Sequence, residues 1–252
     1  MRNPPSIRTR NIGLARVLSK LGYCSRSRAG ELIRSGRVRL NGKVECDPET
    51  PARLETCTVE VDGKRVNRSE FVYFVLNKPR GAVTTASDER GRRTVYEFLP
   101  EGSQWLAPVG RLDQASEGLL LFTNDSEWAA AITAPGSHVV KTYHVQIAQR
   151  ASDDLLNALT KGVRTATAGL LRAKSAKMLR HGKRNCWLEI QLDEGRNRHI
   201  RRMFDALGIE VLRLVRVAIG PLQLGILKKG CVRPLTAAEK LELDPHPKAA
   251  KF

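Results

Sequence analysis

The chain has 252 residues and a formal net charge of +17, from 43 Lys and Arg against 26 Asp and Glu. Its length and its 41% of hydrophobic residues are typical of one or two globular domains and exclude wholesale disorder. The positive charge favours a polyanionic partner, nucleic acid first, and no apolar run is long enough to span a bilayer, so we expect no membrane partner.

The first 43 residues hold a disproportionate share of this charge. They contain eleven Lys and Arg against one acid, Glu31, which is a net +10 in about a sixth of the chain. Such a concentration is typical of a surface that binds a polyanion. Residues 1–10, with two prolines and three arginines, are predicted to be a disordered basic arm.

Two short helices and a strand hairpin are predicted next. Apolar spacing over residues 14–21 predicts one helix, and Ser25 is suited to cap a second. Residues 37–40 alternate basic and apolar side chains as in a strand, and Asn41-Gly42 predicts a hairpin turn. A further strand is predicted over residues 57–61.

These elements resemble the S4 RNA-binding domain, which we predict over residues 11–62. The resemblance is carried by Gly13-Leu14-Ala15-Arg16, Ser25-Arg26-Ser27-Arg28 and Gly36-Arg37-Val38-Arg39-Leu40-Asn41-Gly42. It implies a protein that binds structured RNA through shape and phosphate contacts. The RNA-binding candidates here are Arg16, Arg26, Arg28, Arg37 and Arg39. The alternative is a pair of basic helices that is only solvated.

After a polar linker we predict a larger domain over residues 70–235 and a C-terminal tail over 236–252. The apolar run 71–76 predicts a buried strand that ends at a cationic turn, Asn77-Lys78-Pro79-Arg80-Gly81. Further strands are predicted over residues 118–123, 143–148, 186–192 and 211–219, and helices over 126–132, 152–159 and 197–207. Strands interspersed irregularly with helices favour an α+β fold with a mixed sheet.

A single carboxylate, Asp113, lies between an arginine-bearing turn and a predicted buried strand. A carboxylate in that position stays ionised if a cation pairs with it, and it can then act as a nucleophile or a base. The alternative is an Asp that merely caps a turn, which is the commoner role of a single Asp and the one that spacing alone favours.

Four segments in order resemble the motifs of the pseudouridine synthases, in the RsuA/RluB branch whose members carry an N-terminal S4 domain. They are Asn77-Lys78-Pro79-Arg80-Gly81, then Gly110-Arg111-Leu112-Asp113 running on to Asp125, then Lys141-Thr142-Tyr143, and then Glu194-Gly195-Arg196-Asn197-Arg198-His199-Ile200-Arg201-Arg202-Met203-Phe204. The resemblance implies a mainly antiparallel sheet of the pseudouridine synthase type and an enzyme that acts on ribosomal RNA.

The resemblance also implies roles for three residues. Asp113 is expected to be the catalytic carboxylate of a reaction that breaks the C1′–N1 bond of uridine, rotates the base and joins C1′ to C5. Tyr143 is expected to lie against the flipped uracil, and its alternative is an ordinary strand aromatic at the surface. Arg201 is expected to pair with Asp113 and keep it ionised.

Other basic residues of these motifs are candidates for contacts with the RNA backbone, with a solvated basic face as the alternative. They are Lys78, Arg80, Arg111, Arg196, Arg198 and Arg202. His199 stands where the family usually has Gln. Four more cations, along a predicted hairpin, are interpreted only as generic RNA-facing charge: Arg172, Lys174, Lys177 and Arg180.

The sequence therefore predicts a pseudouridine synthase whose partner is a structured stem-loop of ribosomal RNA or a pre-ribosomal particle. The stretch Gly195-Arg196-Asn197-Arg198 resembles the RluB side of this branch, which implies large-subunit rather than small-subunit ribosomal RNA. A non-catalytic RNA-binding or ribosome-assembly factor is the first alternative, and a DNA-binding regulator is the second.

The five scattered cysteines and five histidines lack the spacing of a zinc site or a disulfide framework. We therefore expect no metal, no cofactor and a cytoplasmic location. We also expect a monomer.

Overall fold

The computed structural model describes residues 11–86, 88–102 and 105–244. These residues form two compact units, one built from 11–72 with short segments around 105–107 and 123–127, the other from the rest. The predicted basic arm, 1–10, lies outside the described residues, as do residues 245–252 of the predicted tail.

The first unit combines two helices with short strands. The helices are α1 (Leu14–Lys20) and α2 (Arg26–Arg34). The strands are β1 (Ile12–Gly13), β2 (Val38–Leu40), β3 (Lys43–Glu45), β4 (Pro51–Ala52), β5 (Val59–Val61) and β6 (Lys64–Arg65). An antiparallel sheet has the order β3-β2-β5-β6, and β1 pairs separately with β4.

Local signals account for the shape of this unit. The Ser25 hydroxyl accepts a hydrogen bond from the Arg28 amide at 3.1 Å, which confirms the predicted cap of α2. Asn41 and Gly42 both have positive φ, 51° and 81°, and form the predicted turn between β2 and β3. The apolar stripe of α1, including Leu14 and Leu18, is buried in the core of the unit.

The remaining elements belong wholly or mainly to the second unit. The strands are β7 (Tyr73–Lys78), β8 (Ala107–Val109), β9 (Glu117–Thr123), β10 (Lys141–Ile147), β11 (Val163–Thr165), β12 (Gly169–Leu171), β13 (Ser175–His181), β14 (Cys186–Leu192), β15 (Val211–Ile219), β16 (Leu222–Gln223) and β17 (Val232–Pro234). The helices are α3 (Ser126–Thr133), α4 (Asp153–Lys161), α5 (His199–Ala206) and α6 (Ala237–Leu243), with 3-10 turns at Val95–Phe98 and Pro135–Ser137.

A large sheet in the order β13-β14-β10-β15-β9-β7-β17 organises the second unit, with β16 paired to β15 and β8 to β9. The ladders β13–β14, β14–β10, β10–β15 and β7–β17 are antiparallel, whereas β15 and β9 run parallel. The predicted α+β fold with a mixed, mainly antiparallel sheet is therefore confirmed.

The two faces of this sheet differ along β14 and β10. Leu188, Ile190 and Val145 are buried in one core with Leu159 of α4 and Phe204 of α5. Successive residues of a strand point to opposite faces, so the residues between them lie on the other face. The cross-strand partners Trp187, Gln146 and Arg213 share that other face, whereas Tyr143 is opposite Ile190 on the helix-covered face.

Some boundaries differ from the sequence predictions. β7 runs two residues beyond the predicted end, so that Asn77 and Lys78 are buried strand residues and not part of a cationic turn. α5 begins at His199, after Arg198 with a left-handed φ of 51°. The region predicted as a tail contains α6, which Thr236 and Glu239 cap reciprocally. In the described part of the chain, no helix is long and apolar enough to cross a membrane.

Candidate active site

Asp113 lies in the loop that joins β8 to β9, and several backbone contacts hold this loop. The Thr84 hydroxyl donates to the Leu112 carbonyl at 2.7 Å and accepts from the Leu112 amide at 3.3 Å. The Gly81 amide donates to the Gln114 carbonyl at 2.8 Å. The residues on both sides of Asp113 are therefore fixed to the segment that follows β7.

The buried side chain of Lys78 also holds the Asp113 loop. Its ammonium donates to the carbonyls of Ser116 at 2.8 Å, Pro79 at 3.1 Å and Asp113 at 3.2 Å. The side chain is 0% exposed, and burial lowers the pKa of Lys78 to about 8. The prediction that Lys78 contacts RNA is therefore wrong, because all three donors of this buried ammonium are used inside the protein.

Arg201 reaches the loop from α5, but through the backbone. Its guanidinium donates to the Ala115 carbonyl at 3.1 Å and to the Val211 carbonyl at 3.4 Å. Among the described residues, no hydrogen bond or ion pair joins Arg201 to Asp113 directly. Burial lowers the pKa of Arg201, and the Asp113 charge opposes that shift, so the two groups sense each other electrostatically. The predicted direct pair is replaced by a contact two residues away.

A cavity of about 510 Å³ opens at Asp113. Of the predicted site residues, Asp113, Arg111 and Arg198 lie on its wall. Residues 83–85, 88–90 and 92 also line the cavity, and the sequence assigned no role to them. Among these residues, Asp88 and Arg92 form a close ion pair.

Tyr143 and Arg216 lie side by side on β10 and β15, and neither is among the described residues that line the Asp113 cavity. The two residues are direct cross-strand partners, so they lie on the same face of the sheet. The buried Arg216 guanidinium donates to the Leu119 carbonyl of β9 at 2.7 Å. Burial lowers the pKa of Lys141 and of Lys78, and the charge of Arg216 adds to both shifts. Arg216 is therefore a buried cation close enough to Lys78 to affect its pKa, and the sequence assigned it no role.

Glu117 anchors the far end of the Asp113 loop. Its carboxylate is 3% exposed and accepts two hydrogen bonds from Arg213, both at 3.1 Å. Lys229 forms a second ion pair with the same carboxylate. These two cations outweigh burial and lower the pKa of Glu117, so the carboxylate stays charged at the start of β9.

The remaining basic candidates of this unit have different surroundings. Arg80 is exposed and reaches the Leu212 carbonyl at 3.5 Å. Arg196 turns back toward the β11–β12 hairpin, where it contacts Glu194 and the Ala168 carbonyl. Arg202 donates to the Asn197 side chain at 3.2 Å. Of these three, Arg80 has the guanidinium least engaged with side chains of the protein.

His199, the residue that departs from the family pattern, is buried at the start of α5. Its Nδ1 lies 3.8 Å from a carboxylate oxygen of Glu194, and burial lowers the pKa of His199. Burial therefore favours the neutral form of this imidazole.

The candidate RNA-binding arginines of the first unit are all exposed, but they fall into two groups. Arg16 and Arg26 border a cleft of about 810 Å³ together with Arg34. Arg37 forms two hydrogen bonds with Asp62, at 2.7 and 2.5 Å, and Arg28 pairs with Glu31 at 2.8 Å. Arg39 donates to the Gly42 carbonyl at 3.4 Å. Within the described residues, no cluster of three or more His, Cys, Asp or Glu is arranged to hold a metal ion.

Comparisons with known proteins find relatives for both units of the chain. The sequence pattern described as "RNA pseudouridylate synthase" matches residues 72–206, and that of the "S4 domain" matches residues 12–55. The "Ribosomal large subunit pseudouridine synthase B" of Bacillus subtilis is 38% identical, over 90% of this chain and 93% of that protein. The protein of the same name from Haemophilus influenzae is 36% identical, over 84% of this chain and 60% of that protein.

A solved structure described as a pseudouridylate synthase is similar in three dimensions. It superposes with a TM-score of 0.66 and 30% sequence identity, over 92% of this chain and 99% of the other.

Proposed function

The chain belongs to the RNA pseudouridylate synthase family, and on that premise we propose that it converts a uridine of large-subunit ribosomal RNA to pseudouridine, with Asp113 as the catalytic carboxylate. The names of the relatives from Bacillus subtilis and Haemophilus influenzae support the large subunit as the source of the substrate. The stretch 195–198 in the third motif supports the same choice.

The position of Asp113 is the observation that carries this proposal. The carboxylate lies on the wall of a cavity of about 510 Å³, a size suited to one nucleotide that has left its helical stack. Arg111 and Arg198 border the same cavity and are suited to bind the phosphates next to the target.

The reaction conserves atoms and electrons. The C1′–N1 bond breaks, the freed uracil rotates, a C1′–C5 bond forms, C5 loses a proton and N1 gains one. An ionised, well-positioned carboxylate is what the protein must supply, and rigid positioning is a large part of such catalysis. Lys78, Thr84 and Arg201 supply that positioning through the backbone on both sides of Asp113.

Arg201 is accordingly a positioning residue that acts through the Ala115 carbonyl and also places a positive charge near Asp113. Tyr143, on the helix-covered face, is proposed to contact the flipped uracil. Proton removal from C5 is the step to which a phenol can contribute.

The decisive substitution is Asp113→Asn, which keeps the size and polarity of the side chain and removes its charge. We expect the release of tritium from RNA that contains 5-tritiated uridine to disappear, while the Kd for the same RNA stays within a few-fold. Asp154→Asn, at an exposed position of α4, is the matched control and should retain full turnover. Comparable turnover by Asp113→Asn would show that Asp113 is not the catalytic carboxylate.

The substrate assignment has its own test. Site-resolved mapping of pseudouridine in total RNA, from cells with and without the protein, should lose a large-subunit position when the protein is absent. Loss of a small-subunit or transfer RNA position instead would reassign the substrate. Binding without any lost position would favour the non-catalytic alternative.

A further inference from the structure

An indole and two guanidinium groups meet on the face of the large sheet that does not carry Tyr143. The Cζ atom of Arg180, on β13, lies 5.3 Å from the ring centroid of Trp187, on β14. The Cζ atom of Arg213, on β15, lies 5.5 Å from the same centroid. Both distances are within the range of a cation–π interaction.

The register of the ladders assigns this group to one face. Trp187 is directly opposite Arg180 on one side and Gln146 on the other, and Gln146 is opposite Arg213. Directly opposed residues of a ladder point to the same side of the sheet. Tyr143 is three positions from Gln146 on β10, so it points to the opposite side.

The surroundings of Trp187 add positive charge that is open to solvent. Lys177, next to Arg180 on this face, is 65% exposed at its side chain and pairs with Glu189 at 3.1 Å. The side chain of Arg213 is 38% exposed and that of Lys229 is 57% exposed, and both contact Glu117. We call Lys177, Arg180, Trp187, Arg213 and Lys229 the open-face cluster. Among the described residues, three of its four cations pair with two carboxylates, Glu117 and Glu189, and Arg180 forms no ion pair.

We propose that the open-face cluster binds the sugar–phosphate backbone of the substrate RNA at a place remote from the target uridine. The inference rests on the proposed function, since it takes ribosomal RNA as the ligand. Arg180 forms no ion pair among the described residues, and its position over the indole restricts its side chain, so it loses little further freedom when it binds a phosphate. Arg213 is held by Glu117 and adds positive charge beside Arg180.

The geometry also predicts which RNA can reach this surface. A nucleotide in the Asp113 cavity sits beside α5, and α5 packs on the face of the sheet opposite to the open-face cluster. A minimal stem-loop that fills the cavity is therefore too short to occupy both faces. A longer fragment of ribosomal RNA, with neighbouring helices, can reach the cluster.

The test compares two RNA substrates and two double variants of the full chain. Lys177→Gln with Arg180→Gln removes two cations of the cluster and leaves Arg213 in place, so that the buried Glu117 keeps its partners. Lys161→Gln with Arg164→Gln, both at exposed positions on α4 and β11, removes the same charge elsewhere. Filter binding over a range of salt concentrations and tritium release are measured for a minimal stem-loop and for a long fragment.

For the long fragment, we expect the cluster variant to raise Kd and KM by about three- to tenfold and to reduce the salt slope of log Kd by about 1–2 units. Its kcat, and all its values on the stem-loop, should equal those of the wild type. The control variant should keep the wild-type salt slope on both RNAs. Trp187→Leu should also raise Kd for the long fragment, because it removes the ring that holds the two guanidinium groups in place.

Several outcomes would overturn the inference. One is a cluster variant that matches the control on the long fragment. Another is an equal loss on the stem-loop, which would make the cluster part of the cavity site. A defect that appears only with protein-bearing pre-ribosomal particles would assign the face to a protein partner. If the wild type modifies neither RNA, the proposed function is wrong. The salt slopes of the cluster and control variants still show whether the open-face cluster binds RNA.

Discussion

At the scale of single residues, Lys78 is a buried cation that holds the Asp113 loop through backbone carbonyls. Its ammonium replaces the water that would otherwise solvate the carbonyls of Pro79, Asp113 and Ser116. Leaving such buried acceptors unpaired costs about 1–3 kcal/mol. The loop conformation therefore depends on the protonated state of Lys78.

The low pKa of Lys78 predicts how the stability of the protein changes with pH. The pKa of Lys78 is lowered by burial to about 8, whereas the same group in the unfolded chain titrates near 10.5. Between those values the unfolded chain binds more protons, so the contribution of Lys78 to the free energy of unfolding rises with pH. Below pH 8 the full cost of burying the charge is present. Over the same range kcat should fall, because the neutral amine has lost one donor.

Lys78→Met is the variant that checks this prediction, since it keeps the length of the side chain. Urea titrations from pH 7 to 10.5 should show the wild type gaining stability relative to Lys78→Met. The kcat of Lys78→Met should be low throughout and should lack the alkaline decline assigned to this group. Lys228→Met, at an exposed position, should follow the wild type. A wild type that loses stability relative to Lys78→Met over this range would contradict the assignment.

At the scale of elements, the parallel pairing of β9 with β15 brings the Asp113 loop next to Arg216. Gly118 is what permits this approach, because a Cβ at that position would lie 2.2 Å from the Arg216 carbonyl oxygen. Its φ of 103° is also in the region that favours glycine. The close contact lets Arg216 donate to the Leu119 carbonyl.

Gly118→Ala is therefore expected to lower the free energy of unfolding by about 3 kcal/mol or more, through a backbone clash and a strained φ together. Gly169→Ala is the matched control, with a φ of 70° but open space around its Cβ position, and should cost only about 1–2 kcal/mol. Thermal and urea unfolding measure both. Equal costs for the two variants would show that strain alone, and not the approach of β15, constrains Gly118.

At the scale of the whole molecule, the net charge of +17 is not uniformly available to RNA. Arg28 and Arg37 each have a carboxylate partner within the first unit, whereas Arg16 and Arg26 border a cleft with Arg34. An arginine that must give up an internal ion pair contributes less to phosphate binding than one that does not.

Two double variants with the same reduction in charge separate these groups. Arg16→Gln with Arg26→Gln should reduce the salt slope of RNA binding by about 1.5 units, at roughly 0.7–0.9 for each phosphate that the protein no longer neutralises. Arg28→Gln with Arg37→Gln should reduce it by less than half of that amount. Equal slopes would show that total charge, and not the cleft, determines the affinity of this unit.

Several elements of this protein could be predicted from the sequence because they depend on residues that are close together in the chain. The cap of α2 by Ser25 and the turn at Asn41-Gly42 depend only on neighbours in the chain, so the sequence predicted both correctly. Strands β14 and β15 were also predicted with their observed ends, because runs of alternating or apolar residues identify them. The order of the motifs was enough to indicate the family.

Tertiary structure decided the features that depend on register between distant segments. Whether Lys78 faces solvent or three carbonyls depends on where β7 ends against β17, which no local pattern specifies. The contact of Arg201 with Ala115, in place of Asp113, depends on how α5 packs beside the β8–β9 loop. The same holds for Trp187, whose neighbours Arg180 and Arg213 lie on separate strands. The sequence alone therefore determined the family and the candidate residues, whereas the tertiary structure decided their contacts, because hydrogen bonds and burial depend on residues far apart in sequence.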